Sequence, residues 1–202
     1  SFGDLSTFSF YPNKHVTTGE GGMIVTNSKI LAEKCRSLRN LCFQKKQRFL
    51  HEQLGWNYRI TNLQAALGLA QLERLDYSVA RKREIGGLYT DLLSEVQGFQ
   101  LPFDNVEYAK NIFWVYGVVL TEEIRFDAET AMNRLMEKGI GTRPFFWPLH
   151  EQPVLRRMGF FEKQSFPVAE YLARRGFYLP SGLGLENHQI QDVVRIVKEK
   201  LR

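Results

Sequence analysis

An uninterrupted apolar run, IFWVYGVVL at residues 112–120, constrains the fold of this chain more than any other stretch. Its aromatic and β-branched residues predict a buried strand. Helical patterns follow: Asp127 caps a predicted helix that Gly139 ends, and a further helix begins near Asn187. Apolar residues recur at helical spacing in both segments, at positions 128, 131, 132 and 135 and at positions 190, 193, 194, 197 and 201. These elements together predict a small α+β domain.

The start of the chain alternates short strands with a helix. Residues 8–11 and 23–26 are rich in aromatic and β-branched side chains, which predicts two strands, and Ser28 caps a helix after them. Periodicity is weak over residues 40–56, which predicts a long basic loop with room for one helical turn. A loop of that length is often functional or contacts another subunit.

A helical segment connects the two halves of the chain. Thr61 and Gln64 form a T-x-x-Q capping box, and apolar residues follow at helical spacing. We predict two consecutive helices that extend to about residue 96. The character of the sequence changes at residues 97–107, so we place one domain at residues 1–100 and a second at residues 101–202.

Composition excludes several classes of protein. With 44% hydrophobic residues in 202, the chain can bury an ordinary globular core, and no apolar run approaches the ~18 residues of a membrane span. The net charge of +5 arises from scattered basic residues, without the basic stripe or recognition helix that would indicate nucleic-acid binding. Cys35 and Cys42 have neither metal-ligand nor disulfide-scaffold spacing. We therefore expect free thiols, no metal and a cytoplasmic location.

One lysine stands out near the start of the chain. The stretch STFSFYPNKHVTTGEGGMIV places Lys14 on a Pro-Asn turn, between an aromatic strand and the glycine-rich residues 19–22. On the residues alone two interpretations stay open, because most lysines on turns are solvated surface residues. A partly desolvated lysine instead loses its proton readily and can attack an aldehyde cofactor. The glycines would then let the backbone pass close to a planar ring.

A longer pattern contains this lysine. The segment GDLSTFSFYPNKHVTTGEGGM is followed in order by GWNYRITNLQAALGLAQLERL, TRPFFWPLHEQP and YLPSGLGL. Together they resemble the sugar aminotransferases of the DegT/DnrJ/EryC1/StrS family, which use pyridoxal 5′-phosphate. The resemblance covers essentially the whole chain. It implies an α/β protein with the aspartate aminotransferase-like fold type I of PLP-dependent transferases, here an incomplete large-domain sheet plus a small α+β C-terminal domain.

The resemblance also implies roles for a first group of residues. Lys14 matches the lysine that bonds to the cofactor and later moves protons, and Ser9 matches a serine that hydrogen-bonds the cofactor phosphate. Asn57 matches an asparagine that reaches the phosphate of the neighbouring subunit's cofactor, and Arg59 matches an arginine at the same shared site. This implies a homodimer with shared active sites. A hydroxyl, an amide and a guanidinium are suitable donors for such an anion.

A second group of residues is expected near the nucleotide-sugar substrate. Arg143 and His150 resemble family positions where a cation or an imidazole meets a diphosphate or a sugar hydroxyl. His15 and His51 are further candidates for substrate binding. A structural role for His15 and a loop-packing role for His51 stay open.

The expected reaction follows from the same comparison of motifs. TTGEGGM, GWNYR and RPFFWPLH together look most like the family members that form perosamine, transferring an amino group from glutamate to C4 of GDP-4-keto-6-deoxymannose for O-antigen biosynthesis. Sugar 3-dehydratases of the family have histidine at the position of Lys14, so the lysine favours transamination. A PLP-dependent dehydratase of the same family and a non-catalytic remnant or regulatory module stay as alternatives.

The resemblance covers roughly the C-terminal half of a family member. The carboxylate against the pyridine nitrogen and the residue that stacks on the ring lie upstream of the lysine in the family, outside this sequence. We therefore expect the N-terminal half of the same protein as a partner. We also expect no activity from the 202 residues alone.

Overall fold

The computed structural model describes residues 3–44, 46–47 and 49–201. Two compact units divide the chain, Ser1–Tyr77 and Ser78–Arg202. This division falls before the domain boundary that the sequence predicts at residue 100. That boundary stays a prediction. None of the helices in the described residues is both long and apolar enough to cross a membrane.

Two short strands and a helix begin the first unit. Strand β1 (Ser6–Ser9) pairs antiparallel with β2 (Gly22–Val25), and α1 (Lys29–Arg39) follows. The side chain of Ser28 accepts a hydrogen bond from the backbone of Leu31, so the predicted cap is confirmed. The two strands begin two residues and one residue earlier than predicted. β1 ends at Ser9 because the backbone then turns away to form the loop of residues 10–21, called here the lysine loop.

The predicted helical connector is confirmed. Helix α2 (Asn62–Leu72) begins with both hydrogen bonds of the Thr61–Gln64 capping box, and α3 (Leu75–Leu93) follows after a short break. The predicted loop at residues 40–56 contains no helix or strand in its described part, and Lys45 and Arg48 lie outside the described residues.

The second unit is built on a four-stranded antiparallel sheet. Its strands are β3 (Phe99–Gln100), β6 (Tyr116–Leu120), β7 (Arg143–Pro144) and β8 (Gly176–Leu179), and a separate hairpin pairs β4 (Asn105–Val106) with β5 (Ala109–Lys110). The order across the sheet is β3-β6-β8-β7. The helices are α4 (Ala128–Met136), α5 (Pro153–Arg157), α6 (Pro167–Arg175) and α7 (Asn187–Lys200), with a 3-10 turn at Leu149–Glu151.

The core of the second unit lies around strand β6. Tyr116, Val118 and Leu120 of this strand are completely buried. The same cluster includes apolar side chains from α3, α4, β8 and α7, such as Tyr89, Leu135, Phe177, Ile190, Val194 and Val197. The helical periodicity that predicted α4 and α7 is therefore the periodicity of this core. Asp127 caps α4 through a 2.9 Å bond from Thr130 N, and Gly139 adopts a positive φ of 77° after it, as predicted.

The strand predicted over residues 112–120 is only half right. Pairing starts at Tyr116, and the preceding residues form no strand. Phe113 has a positive φ of 45° and is 2% exposed. Its ring lies over Gly86 of α3, where an added Cβ would come within 2.4 Å of it. The first half of the apolar run therefore packs Phe113 against a helix instead of extending the sheet.

Candidate functional site

The lysine loop is closed by backbone hydrogen bonds. Phe10 N donates to Gly21 O at 2.9 Å, and Thr18 N donates to Phe10 O at 3.1 Å. Within the loop, Lys14 N donates to Tyr11 O at 3.0 Å, which forms the turn predicted at Pro-Asn. The glycine-rich segment thus returns the chain to β2 directly after the lysine turn.

Lys14 itself is half-buried. Burial lowers the pKa of its ammonium group below the ordinary value, because the charged form loses hydration. A larger share of neutral amine is then available near neutral pH, as a nucleophile or a proton acceptor requires. His15 directly follows this turn and is also half-buried.

Ser9 ends strand β1 and is exposed. Its Oγ accepts a hydrogen bond from Tyr11 N at 3.3 Å, so the hydroxyl proton can still be donated to another group. This is the property that a phosphate-binding serine needs.

Two side-chain contacts that the sequence analysis did not predict support the lysine loop. The buried Thr18 donates from Oγ1 to Glu20 O at 2.7 Å, and Gln64 donates from Nε2 to the same oxygen at 3.0 Å. Gln64 also accepts from Thr61 N in the capping box, so a single side chain joins the start of α2 to the lysine loop. The capping box was visible in the sequence, but the second contact of Gln64 crosses 44 residues and had no local signal.

The structure brings Asn57 and Arg59 together. Arg59 Nε donates to Asn57 Oδ1 at 2.8 Å, and both residues are exposed. His51 lies in the loop before them, where its Nδ1 donates to Leu41 O at 2.7 Å and its ring packs against Phe43. His51 therefore holds the loop together, and its role in substrate binding stays a prediction.

The two candidates in the second unit have different surroundings. Arg143 is exposed on β7 and donates to the neighbouring Thr142 O at 3.1 Å. His150 is 4% exposed, and its Nε2 lies 2.9 Å from Glu170 Oε1. Because the ring of His150 also packs against Phe166, this histidine holds the loop before α5 against α6. Their contacts with substrate stay predictions.

Glu170 is the centre of this small network. It accepts hydrogen bonds from Phe166 N at 2.8 Å and Ser165 Oγ at 2.9 Å in addition to His150. These bonds, that from Phe166 first, hold the pKa of its carboxyl group below the usual value.

The same network contains three side chains of the types that bind metals. His150, Glu151 and Glu170 place one possible ligand atom each within 4.8 Å of one another. Glu151 already forms an ion pair with Arg174 at 2.9 Å, and Arg174 lies over the ring of Trp147. A hydrogen-bonded network therefore explains the cluster, and the expected absence of a metal stays a prediction.

The predicted site residues divide between the two units. Ser9, Lys14, His15, His51, Asn57 and Arg59 belong to the first, and Arg143 and His150 to the second. The roles of all eight remain predictions.

Comparison with known proteins identifies the family. The model of the DegT/DnrJ/EryC1/StrS aminotransferase family matches residues 1–198. The chain therefore belongs to this family, as its motifs predicted. It is 38% identical over 201 residues to a GDP-perosamine synthase of Vibrio cholerae, a match that covers 98% of this chain and 53% of that protein. The chain thus spans about half the length of the relatives it matches.

Solved structures agree on the fold. The aminotransferase PseC of Helicobacter pylori has a TM-score of 0.90 at 24% identity, covering 99% of this chain and 54% of that one. DesV of S. venezuelae, solved in complex with a ketimine intermediate, has a TM-score of 0.83 at 30% identity, covering 98% and 52%. The predicted α/β fold of the PLP-dependent sugar aminotransferases is therefore confirmed.

Proposed function

We propose that the whole protein is a PLP-dependent aminotransferase that transfers an amino group from glutamate to the C4 keto group of a nucleotide-linked 4-keto-6-deoxy sugar. The observation that carries this proposal is the half-buried Lys14, which stands in the family's lysine motif and whose pKa is lowered. The family membership of the chain supports the same chemistry.

The residues present fit pyridoxal 5′-phosphate. Lys14 offers an amine with a lowered pKa toward its aldehyde, while Ser9, Asn57 and Arg59 offer hydrogen-bond donors toward its phosphate. When bound, the cofactor supplies an electron sink that lowers the barrier to breaking a C–H bond next to nitrogen.

The protein's own part is to bind and to move protons. In its neutral form, Lys14 Nζ accepts a proton from the substrate carbon, and as an ammonium group it returns that proton to a different atom. The loop that closes between Phe10 and Gly21 fixes the turn that carries this amine. In the proposed homodimer, Asn57 and Arg59 supply donors to the neighbouring subunit's site.

GDP-4-keto-6-deoxymannose is the substrate that we propose. GDP-perosamine synthases are among the relatives that match 98% of this chain, and the motifs TTGEGGM, GWNYR and RPFFWPLH look most like those enzymes. Arg143 and His150 are the proposed contacts of the second unit with the nucleotide sugar. The product would serve the synthesis of a surface polysaccharide in the cytoplasm.

The cofactor test uses the whole protein. After incubation with pyridoxal 5′-phosphate and reduction with borohydride, peptide mapping should find a pyridoxyl group on the Lys14 peptide. Lys14→Ala should abolish the label. Lys34→Ala is the matched control and should keep it, because Lys34 is an exposed helical lysine that bonds Gln53. An unlabelled but folded protein would reject the proposal and favour a dehydratase or a non-catalytic module.

The substrate test separates the candidates within the family. With glutamate as donor, GDP-4-keto-6-deoxymannose should yield a 4-amino sugar, detected by mass. UDP- and dTDP-linked keto sugars should react more slowly. Loss of the C3 hydroxyl without gain of an amine would identify a dehydratase instead. Amine transfer by the 202 residues alone would contradict the expectation that the N-terminal half is needed.

A further inference from the structure

Arg59 is held at two points by amide side chains. Its Nε donates to Asn57 Oδ1 at 2.8 Å, and its Nη1 donates to Asn40 Oδ1 at 3.0 Å. Asn40 is the residue that ends α1, and the sequence analysis gave it no role. A guanidinium fixed by two neutral oxygens is restricted in orientation but keeps its full charge.

The chemistry of arginine decides how both amides are oriented. A guanidinium has only donors, so each asparagine must turn its oxygen toward Arg59. The NH₂ group of each amide then points away from Arg59 and can donate to another group. Among the residues that the structure describes, no carboxylate forms an ion pair with Arg59. The three side chains therefore form a cluster of donors with one uncompensated positive charge.

Backbone pairing brings these side chains together, so their proximity does not depend on the side chains alone. Asn40 and Asn57 face each other in an isolated antiparallel bridge. On either side of it, Leu41 N donates to Trp56 O at 3.0 Å and Tyr58 N donates to Arg39 O at 3.0 Å. The bridge thus sets the separation of the two amides before either side chain contacts Arg59.

Gly55 makes the bridge possible. An added Cβ at this position would lie 2.5 Å from Cys42 N and 2.6 Å from Leu41 C. Only a residue without a Cβ lets the segment before Asn57 come this close to the end of α1.

We propose that Asn40 is a positioning residue that, together with Asn57, aims Arg59 at a phosphoryl group and keeps the charge of the guanidinium available to it. The proposal rests on the proposed function, in which Arg59 binds the phosphate of a cofactor. Asparagine is required at position 40 because an aspartate would anchor Arg59 equally well but neutralise it. An alanine would leave the charge and remove one anchor.

The test measures inorganic phosphate binding to the whole protein by calorimetry. Asn40→Asp should weaken the affinity about tenfold, since a carboxylate paired with Arg59 would neutralise the charge that attracts the anion. Asn40→Ala should weaken it about threefold, by loss of one hydrogen bond. A purely structural role would give the opposite order, because aspartate preserves the contact and alanine does not.

Asn187→Asp is the matched control. Asn187 Oδ1 accepts a hydrogen bond from Arg81 Nη1 at 3.2 Å, so this substitution places the same new charge beside an arginine of the other unit. Its phosphate affinity should equal that of the unmodified protein. In an Arg59→Met background, Asn40→Asp should lose most of its effect, since the two residues act through one guanidinium.

Several outcomes would overturn the proposal. These are no phosphate binding by the unmodified protein, equal affinity of Asn40→Asp and the unmodified protein, or equal losses in Asn40→Asp and Asn187→Asp. If Asn40→Asp does not fold, the order of Asn40→Ser and Asn40→Ala decides, because serine keeps an acceptor and should bind more tightly. Replacing phosphate by pyridoxal 5′-phosphate or by GDP then shows which phosphoryl group depends on Asn40.

This test and the cofactor test can fail separately. A pyridoxyl label on Lys14 together with indifference to Asn40→Asp would reject only the role of Asn40. An unlabelled Lys14 together with Asn40-dependent phosphate binding would reject the aminotransferase and leave the anion site.

Discussion

The two compact units differ in how far they bury their apolar side chains. In the second unit, helices and sheet bury a continuous core that includes Tyr116, Leu135 and Phe177. In the described part of the first unit, Cys42 is the only hydrophobic side chain that is buried. Its helix α2 instead exposes large side chains, such as Leu63 at 85%. The second unit is thus stabilised by burial, and the first by caps, turns and backbone bridges.

This difference bears on function. The first unit contains Lys14 and the donors that we propose for phosphate, which need access to ligands. A helix that is apolar all round is normally covered by protein, and large exposed apolar surfaces are typical of interfaces. The proposed homodimer and the N-terminal half of the same protein would supply such a cover. The second unit has a continuous buried core of its own.

The largest expected effect contrasts one leucine from each unit. In the 202-residue chain, Leu135→Ala should lower the free energy of unfolding by about 2–5 kcal/mol, because Leu135 is completely buried. Leu63→Ala should change it by less than about 0.5 kcal/mol. Urea unfolding measures both. Equal losses would contradict the comparison, whereas a loss at Leu63 that appears only in the whole protein would show that α2 is covered there.

The second-largest expected effect is a dependence of stability on pH that arises from Lys82. This α3 residue is 6% exposed, and its Nζ donates to the carbonyl oxygens of Trp114 and Ser181. Burial lowers its pKa from 10.5 to about 8. Between these values the unfolded chain binds more protons than the folded one, so stability should rise with pH, by at most about 3 kcal/mol.

The rise should end near pH 10. Burial raises the pKa values of Tyr89 and Tyr116, that of Tyr116 to about 12. Above the ordinary tyrosine pKa of 10.0 the unfolded chain loses these protons first, so stability then falls. Lys82→Met should remove the rise between pH 8 and 10, whereas Lys138→Met, at an exposed position, should retain it. If stability still rose with pH in Lys82→Met, other titratable groups would be its cause.

An intermediate effect is expected at Gly55 of the first unit. Gly55→Ala should lower stability by about 1–3 kcal/mol, because the new methyl group would meet backbone atoms of residues 41 and 42. Phosphate affinity should fall with it. Gly87→Ala in α3 is the control, since a Cβ there meets nothing within 4 Å. Unchanged stability in Gly55→Ala would show that the bridge does not depend on this glycine.

The smallest effect separates the two contacts of Gln64. Gln64→Glu keeps the acceptor for Thr61 N but replaces the donor to Glu20 O, so it should lower stability by about 1 kcal/mol. Amide hydrogen exchange should accelerate in the lysine loop. Gln189→Glu is the control, because Gln189 occupies the same position in the capping box of α7. Equal exchange in both variants would mean that Gln64 does not support the loop.

Local patterns in the sequence determined much of the fold. Capping residues and helical periodicity predicted the starts of α1, α2 and α4, because caps and apolar faces depend on residues three or four positions apart. The motif around Lys14 predicted the family, and the structure supplies a half-buried lysine on the expected turn.

Only the tertiary structure decided the remaining features. Phe113 leaves its apolar run because Gly86, far away in sequence, opens space for its ring. Asn40 approaches Arg59 because a bridge joins segments separated by the long loop, and His150 meets Glu170 across 20 residues. Contacts between distant residues depend on how whole helices and strands pack, and local spacing in the sequence does not predict that packing.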